Sequence, residues 1–134
     1  IEFITDFPEQ AIFINGLEAR LAQVFVNLIA NATSFCEAGD AIRIWARHRE
    51  NRVLIVVEDT GPGIPEQALS KIFQRFYSQR AASEFGNNSG LGLAISRQIV
   101  EAHGGVIWAE NIRPTDADIT SDPLGARFVV GLPV

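Results

Sequence analysis

The chain has 134 residues, of which 47% are hydrophobic and 20% charged, and its formal net charge is -5 at pH 7. This composition is typical of one globular domain and not of a disordered chain. The sequence has no run of Lys or Arg, which argues against nucleic acid as the main partner. No stretch approaches the roughly 20 apolar residues that are needed to cross a bilayer. Cys36 is the only cysteine, which excludes an internal disulfide and favours a reducing, cytosolic setting.

The first part of the chain predicts strands on either side of one long helix. The helix is indicated by apolar residues that recur at helical spacing up to the turn at Gly39-Asp40. The strand predicted at 41–49 alternates apolar and polar residues, and the strand predicted at 52–58 is the most apolar stretch of the chain. A tight connection joins them, so they are expected to form an antiparallel hairpin. The predicted bounds are strands at 1–7, 11–14, 41–49 and 52–58 and a helix at about 17–36.

The second part predicts two helices, a surface loop and two closing strands. Pro65 opens the first helix in the position that proline favours, and Gly104-Gly105 ends the second. The small polar residues of 78–89 have no period and indicate a loop. The second helix is expected to bury Leu91, Ile95, Ile99 and Ala102. The predicted bounds are helices at about 65–72 and 90–103 and strands at 105–111 and 126–132.

This order of elements predicts an α+β two-layer sandwich made by residues 1–134 as a single domain. A mixed, mainly antiparallel sheet of about five strands is expected, covered on one face by about three helices, because the elements are mixed and several neighbours are antiparallel.

The turn from Asp59 to Gly63 directly follows the most apolar strand. Gly61 and Gly63 allow a sharp turn and the close approach of a flat ligand. The carboxylate of Asp59 can accept a hydrogen bond, for example from the exocyclic amine of adenine. By itself the turn is equally compatible with a strand that simply ends in a loop.

Asn27 and Asn31 lie four residues apart and therefore share one face of the long helix. Two amides at the edge of an apolar stripe are costly unless they have partners. One interpretation is hydrogen bonding between the helix and a loop. The other is that Asn31 gives an oxygen to Mg²⁺, which takes few protein ligands, while Asn27 steadies a phosphate or a metal-bound water.

A third cluster, Ser89-Gly90-Leu91-Gly92-Leu93, joins the polar loop to a helix. A helix N-terminus offers unpaired amide donors, and glycines let phosphates approach closely. This signal is weak alone but becomes strong when it follows the other two clusters.

In this order, the clusters resemble the boxes of the catalytic and ATP-binding domain of sensor histidine kinases, the Bergerat-type ATP fold. The resemblance covers nearly the whole chain, and the segment from Phe85 to Gln98 is most similar to ChvG-type envelope sensors. The matching boxes are the N box at 27–32, a glycine box at 59–63, the F box at 73–77, a second glycine box at 90–93 and a final one at 125–128.

The resemblance implies a role for each matching residue. Asp59 would bind the adenine amine, Phe35 and Ile64 would pack near the base, and residues 78–89 would form an ATP lid. The residues implied in catalysis are Asn27, Asn31, Arg75 and Arg80, with Asn31 holding Mg²⁺. Those implied in nucleotide binding are Asn27, Asn31, Phe35, Asp59, Gly61, Gly63, Ile64, Phe76, Ser89, Gly90, Leu91, Gly92 and Leu93. Core packing is the alternative for Phe76, and a solvated charge is the alternative for Arg75 and Arg80.

Two positions depart from the family pattern. Ser34 stands where many members carry Lys or Arg, so one phosphate contact is expected to be missing or replaced by a lid arginine. Arg127 stands where Thr is usual, which questions a water-mediated contact to the base.

Asn27 also bears on the reaction, because related ATPases of the gyrase, Hsp90 and mismatch-repair type carry a Glu there that activates water. An amide cannot accept that proton, so slow hydrolysis is expected. The resemblance instead implies a protein-histidine kinase. The alternatives are a non-catalytic nucleotide-sensing interaction module and a protein-serine kinase. His48 is expected at the surface, and His103 is expected to cap a helix end.

The partners implied are a phosphoacceptor histidine domain of the same full-length kinase and a response regulator. The chain is expected to be a cytoplasmic fragment of a sensor anchored in the bacterial inner membrane, without direct membrane contact itself. It is expected to be monomeric alone and dimeric in the full-length protein, with ATP and Mg²⁺ as its cofactors.

Overall fold

The computed structural model describes residues 1–7, 16–74, 92–113 and 124–134. Within these ranges the chain forms a five-stranded sheet, two α-helices and one short 3-10 helix. The elements in chain order are β1 (Glu2–Asp6), α1 (Glu18–Phe35), β2 (Ala41–Arg49), β3 (Arg52–Asp59), the 3-10 helix (Glu66–Ala68), α2 (Gly92–Ala102), β4 (Val106–Ile112) and β5 (Gly125–Pro133).

The strands lie in the order β1-β2-β3-β5-β4. Strand β1 is parallel to β2, and the other neighbours are antiparallel. The predicted hairpin is confirmed: β2 and β3 pair from Ile42–Asp59 to Arg49–Arg52, and Glu50 turns the chain with a positive φ of 52°. The central strands β3 and β5 each have a neighbour on both sides, as β2 also does, and they carry the long apolar runs of the sheet.

The helices pack on one face of this sheet, so the predicted two-layer α+β class is confirmed. Val24 and Leu28 of α1 are fully buried against the inward side chains of the central strands. On the sheet side, Phe128 is 2% exposed and meets the ring of Phe73 edge-on, with the ring centroids 6.2 Å apart. Burial of this contiguous apolar layer is the main stabilising contribution to the fold.

The opposite face of the sheet carries a row of charges that includes one residue from each strand. Arg43 lies 3.0 Å from Asp6 and 3.2 Å from Glu58, and Arg127 lies 3.3 Å from Glu58 and 3.9 Å from Glu110. We call these five residues the outer charge row. Because side chains alternate across a strand, the neighbours of these residues point into the helix-covered layer.

The short helix predicted at about 65–72 is present but shorter, since only Glu66–Ala68 is helical and it forms a 3-10 helix. Pro65 is extended there, with ψ at 136°. The amides of Ala68 and Lys71 each donate three residues back, to Pro65 and Ala68. Such i to i+3 bonding is usual for short helical segments.

The predicted buried face of α2 is only partly right. Ile99 is 7% exposed and belongs to the core, but Ile95 is 40% exposed and Ala102 is also at the surface. The buried positions are instead rotated toward α1 and include Ala94, Ser96 and Val100, because α2 packs on α1 as well as on the sheet. Leu91, the strand predicted at 11–14 and the loop predicted at 78–89 lie outside the described residues.

The two histidines behave as predicted. His48 is exposed on β2. The Nε2 atom of His103 accepts a hydrogen bond of 3.0 Å from the backbone N–H of Leu17, so the ring hydrogen lies on Nδ1, which is 2.7 Å from the carbonyl oxygen of Ile99. The imidazole therefore joins the start of α1 to the end of α2 in a structural role.

Candidate functional site

Asp59 is the last residue of β3 and points into the helix-covered layer, where it is only 5% exposed. Its Oδ1 atom accepts a hydrogen bond of 2.9 Å from the backbone N–H of Gly61. Burial raises the pKa of the Asp59 carboxyl, and the backbone hydrogen bonds from Gly61 and Ala126 oppose that rise without cancelling it. A buried carboxyl with two backbone donors keeps further acceptor capacity, so Asp59 can bind one more donor.

The backbone closes tightly around this carboxyl. A Cβ atom added at Gly61 would lie 3.1 Å from Asp59 Oδ1 and 3.1 Å from the carbonyl oxygen of Phe35. A Cβ atom added at Gly125 would overlap the carbonyl oxygen of Asp59. Gly63 has a φ of 83°, in the left-handed region that favours glycine. The turn predicted from Asp59 to Gly63 is therefore held between the end of α1 and the start of β5.

Asn111 on β4 holds the next part of this turn, a role that was not predicted from the sequence. Its Oδ1 atom accepts the N–H of Ile64 at 2.7 Å, and its Nδ2 atom donates to the carbonyl oxygen of Ile64 at 2.7 Å. Its Nδ2 also donates to Glu66 at 3.2 Å, and Glu66 is paired with Arg113. The sequence feature that could have indicated this role is the polar amide of Asn111 on the face of β4 that otherwise carries the apolar residues Ile107 and Ala109.

The two asparagines of α1 differ in their surroundings. The Nδ2 atom of Asn27 donates to the carbonyl oxygen of Gly92 at 3.1 Å and to Ser96 Oγ at 3.2 Å, while its Oδ1 atom accepts from Gln23 at 2.7 Å. Asn31 is half-buried one turn further on, and within the described ranges its side chain makes no hydrogen bond. Asn27 thus bonds helix to helix, whereas the Asn31 amide is available to a ligand.

Ser34 cannot substitute for a basic residue here. Its hydroxyl donates to the backbone oxygen of Asn31 at 2.7 Å and so turns back onto its own helix. The contact predicted to be missing from this position is therefore not restored by Ser34 itself.

The structure places Arg127 away from this site, which corrects the prediction that it disturbs a contact to the base. Its register partner on β3 is Glu58, and its side chain belongs to the outer charge row. The β5 residue beside the carboxyl of Asp59 is Ala126, which contributes its backbone N–H. The sequence showed the alternation of β5 but not which residue faced inward.

Some of the predicted site residues lie in the part of the chain that the structure describes, and the others lie outside it. Phe35, Asp59, Gly61 and Ile64 come together at the end of β3, while Asn27 and Gly92 meet between α1 and α2. Leu93 is partly buried against the core. Those outside the described residues are Arg75, Phe76, Arg80, Ser89, Gly90 and Leu91.

The described residues contain no group of three or more His, Cys, Asp or Glu side chains that could hold a metal ion. The polar side chains that α1 presents here are the amides of Asn27 and Asn31, and amide oxygens together with water and a ligand suit Mg²⁺. In the same ranges, no helix combines the length and apolarity that a membrane span requires.

Comparison with known proteins gives a family and several relatives. The family of histidine kinase-, DNA gyrase B- and HSP90-like ATPases matches residues 16–134. Sensor protein ChvG of Rhizobium meliloti (strain 1021) is 47% identical over 130 residues, which are 96% of this chain and 22% of ChvG. Sensor protein ChvG of Agrobacterium fabrum is 49% identical over 123 residues, which are 90% of this chain and 20% of ChvG. The chain spans about a fifth of the length of these relatives.

Three solved structures share the fold. The catalytic domain of histidine kinase ThkA, nucleotide free, matches with a TM-score of 0.81 and 29% identity over 98% of this chain and 78% of that chain. Full-length ShkA in complex with AMPPNP matches with a TM-score of 0.77 and 29% identity over 98% of this chain and 25% of that chain. ThkA in complex with response regulator protein TrrA matches with a TM-score of 0.74 and 30% identity over 98% of this chain and 33% of that chain.

Proposed function

Because the chain belongs to the family of histidine kinase-, DNA gyrase B- and HSP90-like ATPases, we propose that it is the ATP-binding catalytic domain of a sensor histidine kinase. It binds Mg-ATP and donates the γ-phosphoryl group to a histidine on a separate domain. The observation that carries this choice over a hydrolase is Asn27, an amide whose nitrogen is already bonded to Gly92 and Ser96. An amide cannot serve as the base that activates water.

Asp59 recognises the adenine. Its carboxyl is buried, and among the described residues no cation lies beside it, so its remaining acceptor capacity can serve an N–H donor such as the exocyclic amine of adenine. Ile64 follows this turn and the backbone of Phe35 borders it at Gly61, and both side chains are proposed to supply apolar contact to a flat base. The match to ShkA in complex with AMPPNP supports a nucleotide as the ligand.

The phosphates lie toward the other end of α1. Asn27, Asn31 and Phe35 stand on successive turns of one helix face, so the first and last are about 12 Å apart along the axis. Such a separation suits an elongated ligand with a base at one end and phosphates at the other. The side-chain oxygen of Asn31 is the candidate Mg²⁺ ligand, since Mg²⁺ needs few protein ligands.

When bound, Mg²⁺ would neutralise charge on the phosphates during transfer. The residues of this chain contribute by positioning, which supplies much of the catalysis in phosphoryl transfer. Asp59 fixes the base, and Asn31 and Asn27 orient the phosphate end. Arg75 and Arg80 are proposed to contact the phosphates, as implied by the resemblance.

The nucleophile comes from outside this chain. His48 pairs with Val53 near the hairpin, at the opposite end of the β2–β3 pair from Asp59, and both ring nitrogens of His103 are engaged in hydrogen bonds. We therefore assign the acceptor to a phosphoacceptor domain of the full-length kinase, and a response regulator as the next partner, consistent with the match to ThkA bound to TrrA. The full-length protein is proposed to be a dimeric, membrane-anchored sensor with this domain in the cytoplasm.

Mixing the purified chain, a separately made phosphoacceptor domain and γ-labelled ATP tests the proposal. The expected product is acid-labile, base-stable phosphohistidine on the acceptor. At an ATP concentration well below saturation, Asp59→Asn should strongly reduce it, whereas Glu101→Gln, which changes an exposed carboxylate on α2, should not. Confirmed ATP binding without any phosphohistidine would overturn the kinase assignment, and acid-stable, base-labile phosphate would instead indicate a serine acceptor.

The second candidate is a nucleotide-sensing interaction module that binds ATP without transfer. Ser34 favours it, because its hydroxyl is occupied by the Asn31 carbonyl and supplies no cation to the phosphates. Under this alternative, Asn31→Asp should leave binding of the partner domain within about twofold of wild type. Loss of partner binding together with metal binding in that variant would rule the alternative out.

A further inference from the structure

Ser96 on α2 is completely buried although it is polar. Its hydroxyl donates to the carbonyl oxygen of Gly92 at 2.9 Å, one turn earlier in the same helix. Because that hydrogen is used, Ser96 Oγ can only accept the hydrogen bond of 3.2 Å from Asn27 Nδ2. The buried hydroxyl therefore distinguishes between the two ends of the Asn27 amide.

The carbonyl of Gly92 makes the same distinction. A carbonyl oxygen only accepts, so the Asn27 group 3.1 Å from it must be the nitrogen. The two hydrogens of Nδ2 are thus both used, one on Gly92 and one on Ser96. The oxygen of the amide is left facing Gln23, whose Nε2 donates to it at 2.7 Å.

We propose that Ser96 is a positioning residue that fixes the orientation of the Asn27 amide, so that Asn27 meets a ligand with its oxygen and not with its nitrogen. An amide oxygen has two acceptor sites, and Gln23 occupies one of them. The other can accept a hydrogen from metal-bound water. Of the two roles open to Asn27, this excludes donation to a phosphate oxygen and leaves acceptance from water.

The inference rests on the proposed function for its ligand, but the amide orientation can be measured without nucleotide. Thr33 offers a matched control, because its hydroxyl also donates to the carbonyl four residues back, Ile29, at 2.7 Å. That hydroxyl has no amide partner among the described residues. Ser96→Ala and Thr33→Val each remove one such hydroxyl while keeping a similar shape.

The first experiment follows the side-chain NH₂ hydrogens of Asn27 by ¹⁵N NMR in the nucleotide-free protein. In the wild type and in Thr33→Val they should exchange slowly with solvent. In Ser96→Ala they should exchange about fivefold faster, the factor expected for the loss of one hydrogen bond. Unchanged exchange in Ser96→Ala, with thermal unfolding showing that the variant is folded, would overturn the positioning role.

The second experiment measures the affinity for AMPPNP by calorimetry, once with Mg²⁺ and once with a chelator. Ser96→Ala should lose about fivefold in affinity with Mg²⁺ and stay within about twofold of wild type without it. An equal loss under both conditions, or none with Mg²⁺, would overturn the inference while leaving the proposed function intact. A wild-type chain that does not bind AMPPNP would defeat the proposed function, and the NMR result would still decide the role of Ser96.

Discussion

Replacement of Asp59 by Asn should separate nucleotide binding from stability. The variant keeps the shape of the side chain, and its oxygen can still accept from Gly61, as Asp59 Oδ1 does at 2.9 Å. An NH₂ group then replaces the second oxygen and cannot accept from the adenine amine. Loss of a hydrogen bond to a charged group costs about 2 kcal/mol of binding free energy, and the repulsion between the new NH₂ group and the adenine amine adds to this cost. Nucleotide affinity should therefore fall about 30- to 100-fold.

The same change should not destabilise the free protein. Burial raises the pKa of Asp59 above its ordinary value, so the folded state binds this proton more tightly than the unfolded state does. The stability that comes from this proton is complete at acid pH and is lost as pH rises through the folded-state pKa. The Asn side chain does not titrate, so the variant does not lose this stability as the pH rises. Its free energy of unfolding should therefore equal or exceed that of the wild type at pH 7, and this advantage should shrink toward acid pH, where the wild type is protonated.

Glu58→Gln is the matched control, since Glu58 precedes Asp59 but belongs to the outer charge row. Its carboxylate contacts Arg43, Arg127 and the indole N–H of Trp45. This control should lower Tm by roughly 4 °C, for a loss of about 1 kcal/mol, without changing nucleotide affinity. Thermal unfolding from pH 4 to pH 8 and calorimetry with AMPPNP measure both quantities. A Tm loss in Asp59→Asn larger than that in Glu58→Gln, with affinity unchanged, would refute the reasoning.

Three further substitutions test the contacts that shape the site. Asn111→Asp keeps an acceptor for the N–H of Ile64 but removes the donor to its carbonyl, so urea denaturation should show a loss of about 1–3 kcal/mol; no loss would mean that this clamp is unimportant. Gly125→Ala should prevent folding to the native state, seen by circular dichroism, because the added Cβ atom overlaps the Asp59 carbonyl. Gly39→Asn should still fold, since its surroundings are open and asparagine tolerates a positive φ, which is 92° there, better than most residues. His103→Ala should destabilise the chain by about 1–2 kcal/mol through the loss of two hydrogen bonds, while the exposed His48→Ala should lie within about 0.5 kcal/mol of wild type; equal effects of the two histidine variants would contradict the capping role.

The sequence predicted the strands and long helices well because their signals are local. The periodicity of 17–36 anticipated α1 at Glu18–Phe35, and the alternation of 41–49 matched β2. The resemblance assigned Phe35, Asp59 and Gly61 to one nucleotide site, and the structure places Gly61 beside the backbone of Phe35 and the carboxyl of Asp59. These features depend on spacing alone, and spacing can be read without knowing the tertiary partners.

What the sequence could not give is the rotation or facing of an element, since this depends on its neighbours. On α2, the stripe through Ile95 and the stripe through Ser96 have the same helical spacing, and packing against α1 selects the second. On β5, alternation does not say whether Ala126 or Arg127 faces inward until the pairing of Glu58 with Arg127 fixes it. Asn111 was missed for the same reason, because its partner Ile64 is distant in sequence.

The contrast between Glu58 and Asp59 explains why the outer charge row matters to the site. The two carboxylates are adjacent on β3, but Glu58 is paired with two arginines, whereas the donors to Asp59 within the described part of the chain are backbone N–H groups. A cation beside Asp59 would stabilise its charge and would also compete with a ligand for its oxygens. By carrying its ion pairs on the outer face, the sheet ties together the strand ends that hold Asp59 and leaves that carboxyl available. The ion-paired strands thus form a rigid frame around Asp59. Its buried charge lowers the stability of the folded protein somewhat, but it leaves an acceptor for a ligand that donates a hydrogen bond.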